Sequence, residues 1–78
     1  MAIQDNAYTQ WLLKTADDLK VENVGSEQDI ISYLLYSGCN QDNNPQSFDI
    51  VNEVGDKEWT QETFYKAADL VLTIKKKE

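Results

Sequence analysis

The sequence predicts an all-α fold: one small bundle of four helices, the third short, making a single domain over residues 1–78. Three observations carry this. Apolar residues recur at spacings of three and four, a polar capping residue stands at the head of each periodic stretch, and all three glycines fall where a helical pattern starts or stops. A chain of 78 residues has no room for a second domain. Its size allows one modest core, with roughly 60–65% of the unfolded surface buried. An apolar content of 41% is too high for a disordered acidic tail.

The first helix spans 5–19, with Asp5 or Asn6 as its N-cap. Tyr8, Leu12, Ala16 and Leu19 recur at spacings of four, four and three with Trp11 beside them, which makes one apolar stripe. Residues 21–25 are a connector. Ser26 caps a second helix over 26–37, with Asp29 three residues on in a capping-box arrangement. Ile30, Ile31, Leu34 and Leu35 form its core face, and Gly38 supplies a left-handed position after its end. Residues 39–46 form a polar loop rich in turn formers. The third helix spans 48–54, capped by Ser47 and closed by Gly55. Phe48, Ile50 and Val54 also fit a strand's alternation, but no partner strand exists elsewhere in the sequence, so a helix is expected. Thr60 caps the fourth helix, 60–74, with Trp59 placed to staple against Phe64. Phe64, Ala67, Ala68 and Val71 make its inward stripe, which Leu72 and Ile74 extend.

The charge is lopsided: fourteen Asp and Glu against seven Lys, with no Arg and no His. It is also segregated. Residues 21–56 hold seven acids and no Lys, whereas the flanking segments hold seven acids and seven Lys. The net charge of −7 therefore belongs to the second helix, the polar loop and the third helix. Part of this is ordinary helix chemistry, since Glu27, Asp29, Asp49 and Glu62 fall in first turns where the macrodipole favours anions. Asp49 and Glu53, four apart on one helix, repel by a few tenths of a kcal/mol. A solvated acidic face that aids solubility fits these residues. The segregation nevertheless exceeds what capping requires, which favours a docking face for a basic partner. Lys75, Lys76 and Lys77 suit the negative end of the last helix. As a nucleic-acid tail they would contact few phosphates.

Cys39 is the only cysteine, so no intramolecular disulfide forms. The nearest basic residue, Lys57, is eighteen positions away, and a reactive thiolate is not expected. The opening residues Met1 to Asp5 lack the basic and apolar regions of a signal peptide. The apolar clusters Ile30-Ile31 and Leu34-Leu35 are far too short to span a bilayer. A reduced cytoplasmic setting without membrane attachment is the expectation.

Catalysis finds little to build on. Without His there is no imidazole base and no usual zinc ligand, and without Arg no bidentate phosphate clamp. Ser26, Ser32, Ser37 and Ser47 have no His partner, and no Gly-rich phosphate loop exists. No catalytic residue, metal or cofactor is expected, and direct nucleic-acid reading is disfavoured because the second and third helices carry no cationic side chain. The window Asp42 to Glu53 places oxygen side chains at several positions of a calcium loop. It has Pro45 at position four, Ser47 instead of Gly at position six, and Asp49 at the usually apolar position eight. In size and acidity the chain is similar to acyl carrier proteins, which carry phosphopantetheine on a serine inside Asp-Ser-Leu. The nearest counterpart here is Gly25-Ser26-Glu27, and neither flanking residue matches.

Tyr33 and Tyr36, three apart on the second helix and flanking its Ile/Leu face, suit interface anchors among carboxylates. The expected function is a small acidic protein-interaction module, a regulator or inhibitor of the kind phages and mobile elements encode. It would dock on a basic protein surface, including one made for nucleic acid. The docking residues would be Tyr33 and Tyr36 with Glu27, Asp29, Asp42, Asp49, Glu53 and Asp56. The competing expectation is a passive assembly subunit or homo-oligomer held by an apolar patch.

Overall fold

The computed structural model describes residues 5–22 and 25–76. Met1 to Gln4, residues 23 and 24 of the connector, and Lys77 of the terminal lysine run lie outside the described residues. Four helices follow one another: α1 (Ala7–Val21), α2 (Glu27–Asn40), α3 (Pro45–Asn52) and α4 (Gln61–Lys76). The described residues contain no strand. None of these helices is long and apolar enough to cross a membrane.

Helix α2 is the spine of the bundle and packs against each of the other three. The core is made of Leu12, Leu13 and Ala16 from α1, Ile30, Ile31, Leu35 and Cys39 from α2, Ile50 and Val51 from α3, and Phe64, Ala67, Ala68, Val71 and Ile74 from α4. The predicted stripes are thus the inward faces. Two details of α1 differ. Thr9 and Leu13 are buried beside Leu12 and Ala16, whereas Trp11 is half exposed and stacks on Tyr8 with ring centroids 5.8 Å apart. Trp11 stands one residue before the buried Leu12 and so turns to the flank of the face.

The helix starts are set by side-chain caps. Asn6 accepts from the Thr9 amide at 3.0 Å while the Thr9 hydroxyl accepts from the Asn6 amide at 2.9 Å. Ser26 accepts from the Asp29 amide at 3.1 Å. At α4, Thr60 and Thr63 exchange the same reciprocal pair at 3.0 and 3.4 Å. Trp59 meets Phe64 edge to face with centroids 6.3 Å apart, which is the expected staple.

The junction between α2 and α3 departs from the sequence expectation. Helix α2 continues to Asn40, so Gly38 and Cys39 lie inside it and not beyond its end. Gly38 is there for space. A Cβ on it would overlap the Ser47 Oγ, stand 2.9 Å from the Ser47 Cβ and 3.2 Å from the Tyr8 hydroxyl. Those two side chains hydrogen-bond to each other across the glycine and join α1 to α3. The left-handed backbone falls instead to Asn43 (φ 49°), whose short amide side chain tolerates it. Helix α3 starts at Pro45 and ends at Asn52, three residues earlier at its start and two at its end than the spacing suggests. Asn44 caps it by accepting from the Gln46 amide at 2.9 Å, and Pro45 occupies the first turn, where its missing N–H costs nothing. Ser47, expected as the cap, is buried within the helix. Gly55, with φ of +83°, turns the chain after α3.

Candidate protein-interaction surface

On α2, Asp29, Ser32, Tyr33 and Tyr36 stand at i, i+3, i+4 and i+7, a second stripe beside the core face. It looks across to the start of α4. Together the two segments line an open groove of about 380 Å³, with Trp59, Thr60, Gln61, Phe64 and Tyr65 on the far side. Phe64 is buried and forms the floor; Tyr36 packs edge-on against it with centroids 5.4 Å apart. Trp59 lies against both Phe64 and Phe48 of α3, the latter at 5.8 Å. The tyrosines on the near wall stay in solvent, Tyr33 at 63% and Tyr36 at 48% exposure.

Asp29 closes one end of the groove. Its carboxylate accepts from the Tyr65 hydroxyl at 2.6 Å. That hydrogen bond, with help from Ser26, holds the Asp29 carboxyl below the ordinary range and raises the Tyr65 phenol. The groove thus combines aromatic faces with a fixed negative charge, and none of its lining residues is basic.

The other acids divide into two groups. Glu27, with only 15% of its side chain exposed, is gripped by Lys75 at 2.8 Å and Lys20 at 3.3 Å. The Lys75 hydrogen bond is the main reason its carboxyl lies below the ordinary range. Lys75 also approaches Asp17 at 3.8 Å, so this cluster clamps the end of α4 to α1 and α2. Asp56 accepts from the Thr63 hydroxyl at 2.8 Å and from Lys66 at 3.4 Å, and the hydroxyl chiefly lowers its pKa. Glu27 and Asp56 are therefore occupied in holding helix ends. Asp42 in the loop and Asp49 on α3 are exposed, Glu53 at the end of α3 is half-buried, and none of the three forms an ion pair among the described residues.

Of the eight anticipated docking residues, the fold brings Asp29, Tyr33 and Tyr36 into one groove. Asp42, Asp49 and Glu53 lie outside its lining, with α3 reaching it through Phe48 against Trp59. Trp59, Phe64 and Tyr65 are the groove residues that the sequence assigned to packing or passed over. The signal available for them was the staple, which folds Trp59, two residues before α4, back against its first turn beside Phe64.

Cys39 is buried and free, and burial pushes its thiol up, which suits a packing residue. No three His, Cys, Asp or Glu side chains converge into a metal site among the described residues. The Asp42–Glu53 window turns helical at Pro45, so its oxygen side chains do not encircle a common centre as a calcium loop requires. No family model, curated protein or solved structure matches the chain.

Proposed function

We propose that this chain is a small acidic interaction module that works in the cytoplasm by docking on a basic surface of a protein partner, as a regulator or inhibitor of that partner. It carries out no chemistry of its own. The observation that carries this reading is the tyrosine-walled groove: two large aromatic side chains stand in water on the spine helix beside a fixed carboxylate. Exposed tyrosines next to an aromatic floor are typical of residues that supply most of the energy of an interface. The uncompensated charges of Asp42, Asp49 and Glu53 would steer the approach of a cationic partner. A partner groove that otherwise takes nucleic acid has the complementary charge.

The test is affinity capture from the native host at low and high salt, with the wild-type chain and two variants. Capture should fall steeply with salt. It should be lost in Asp42→Lys/Asp49→Lys/Glu53→Lys and in Tyr33→Ala/Tyr36→Ala, both with native helicity by circular dichroism. Undiminished capture by either variant overturns this reading. Trp11, half exposed on α1, favours the competing reading of an assembly subunit. In that case the chain would self-associate without a salt dependence, and Trp11→Ala would abolish the association.

A further inference from the structure

The proposed docking leaves open what enters the groove between α2 and α4. Its walls are lined by Tyr33, Tyr36, Trp59 and Tyr65, and its fixed charge is Asp29. Aromatic faces present negative potential, and a carboxylate beside them adds to it. No lysine lines the groove; Lys20 and Lys75 are engaged with Glu27, and Lys66 with Asp56 and Glu62. Among the described residues, the only cross-helix partner of Asp29 is the neutral hydroxyl of Tyr65, which takes Oδ1.

Three classes of occupant can be weighed. An anionic group would meet both Asp29 and the −7 charge of the chain. A purely apolar group would cover the carboxylate and strip its water without replacing it. A cation satisfies both the aromatic faces and the charge. Between the two cationic side chains, the planar guanidinium stacks flat on aromatic rings and presents paired N–H donors to a carboxylate, while an ammonium is a compact and strongly hydrated point charge. We infer that the groove seats an arginine side chain of the protein partner, stacked among Tyr33, Tyr36 and Trp59 with its guanidinium directed at Asp29. This rests on the docking role proposed above and names the feature of the partner that the groove recognises.

The experiment titrates the full chain with the peptide acetyl-Gly-Ser-Arg-Ser-Gly-amide, followed by amide and aromatic NMR. Its counterparts carry citrulline, which keeps the shape of arginine without the charge, or lysine. The Trp59 indole and the Tyr33 and Tyr36 rings should shift saturably with the arginine peptide. Affinity should drop about tenfold for citrulline and less for lysine, as expected for a partly desolvated cation–π site. Asp29→Asn should narrow the arginine–citrulline gap while α2 keeps its amide pattern. Equal binding of arginine and citrulline peptides, or shifts confined to Asp42, Asp49 and Glu53, overturns the inference. If citrulline binds as well as arginine while Tyr33→Ala/Tyr36→Ala still abolishes partner capture, the arginine assignment falls and the docking role stands. Discrimination against citrulline, combined with capture indifferent to that double variant, breaks the docking role and the partner arginine with it.

Discussion

The two faces of α2 obey different rules. On the inner face, Ile31 and Leu35 are fully buried and Gly38 is stripped to a bare backbone so that Tyr8 and Ser47 can meet across it. Every position there is dictated by a neighbour. On the outer face, Asp29, Tyr33 and Tyr36 line a groove that the helix packing leaves open. Folding asks less of those positions: Asp29 and Tyr36 each make one contact across to α4, with Tyr65 and Phe64, and Tyr33 stands mostly in water. The inner face is thus explained by the fold, whereas the exposed aromatic area on the outer face is not, and the docking role proposed above would give it a partner to meet.

The comparison breaks first if the inner face proves tolerant. Leu35→Ala should cost about 2–5 kcal/mol, from lost burial plus the cavity left behind. A domain of this size holds only about 4–12 kcal/mol in all. Urea denaturation should therefore show a midpoint far below wild type or an unfolded chain, and a loss under about 1 kcal/mol would remove Leu35 from the core. Gly38→Ala comes next. The new methyl overlaps Ser47, an overpacking cost of about 1–3 kcal/mol, against which alanine's better helix propensity returns about 1 kcal/mol. Adding Ser47→Ala should recover only part of the loss. The Ser47 Cβ itself stands 2.9 Å from the added carbon, and the bond to Tyr8 is gone. Full recovery in the double variant would show that the hydroxyl alone sets the spacing.

Gly38 also marks the limit of what the sequence discloses. The helical periodicities, the caps at Asn6, Ser26 and Thr60 and the Trp59–Phe64 staple are local relations between residues a few positions apart, and local physics suffices to read them. A glycine near the end of a helical pattern has two uses, a left-handed turn or a close approach. Only the positions of Ser47, nine residues along on α3, and Tyr8, thirty residues back on α1, decide between them. Once Gly38 is helical, α2 runs on to Asn40 and the turn passes to Asn43. Pro45 then opens α3 and does not sit in the loop before it. The groove was half legible for the same reason. The tyrosine stripe on α2 follows from spacing, but its opposition to Trp59 and Tyr65 is a tertiary fact. So is the capture of Glu27 by Lys75, 48 residues away.

On the outer face the expected effects on folding are smaller and those on binding larger. Tyr36→Ala should cost about 0.5–1.5 kcal/mol beyond lost area, because its ring packs edge-on against Phe64. Tyr33→Ala, mostly in water, should stay within about 0.5 kcal/mol of wild type. Both should weaken partner binding at least about tenfold, as anchor residues do. Thermal melts and titrations on the same samples separate the two effects. A Tyr33→Ala chain that melts well below wild type would move Tyr33 to the folding side of the comparison.

The smallest effect sharpens the division among the acids. Glu27, Asp29 and Asp56 have carboxyls held below the ordinary range, by Lys75, the Tyr65 hydroxyl and the Thr63 hydroxyl respectively. A lowered folded-state pKa means that the unfolded chain binds protons first as pH falls. Their contribution is therefore complete above the unfolded carboxylate range, about 4.3 for Glu, and is lost as pH drops through the folded values. Lys75 is raised by the same contact with Glu27, so its share is complete below about 10.4, the ordinary lysine value, and is lost as pH climbs through the folded one. The joint contribution of these four groups should be level between these limits and decline on both sides, and the raised Cys39 thiol begins its own loss above about 8.5. Glu27→Gln isolates the clamp. At pH 7 it should melt below wild type, and the gap should narrow as pH falls through the folded value of Glu27, because a protonated Glu27 grips Lys75 no better than an amide does. Surface pairs of this kind are screened by salt, so 1 M NaCl at pH 7 should narrow the same gap. A difference that stays constant across pH and salt would show that Glu27 holds α2 to α4 by packing and not by charge, leaving its carboxylate as available to a partner as those of Asp42 and Asp49.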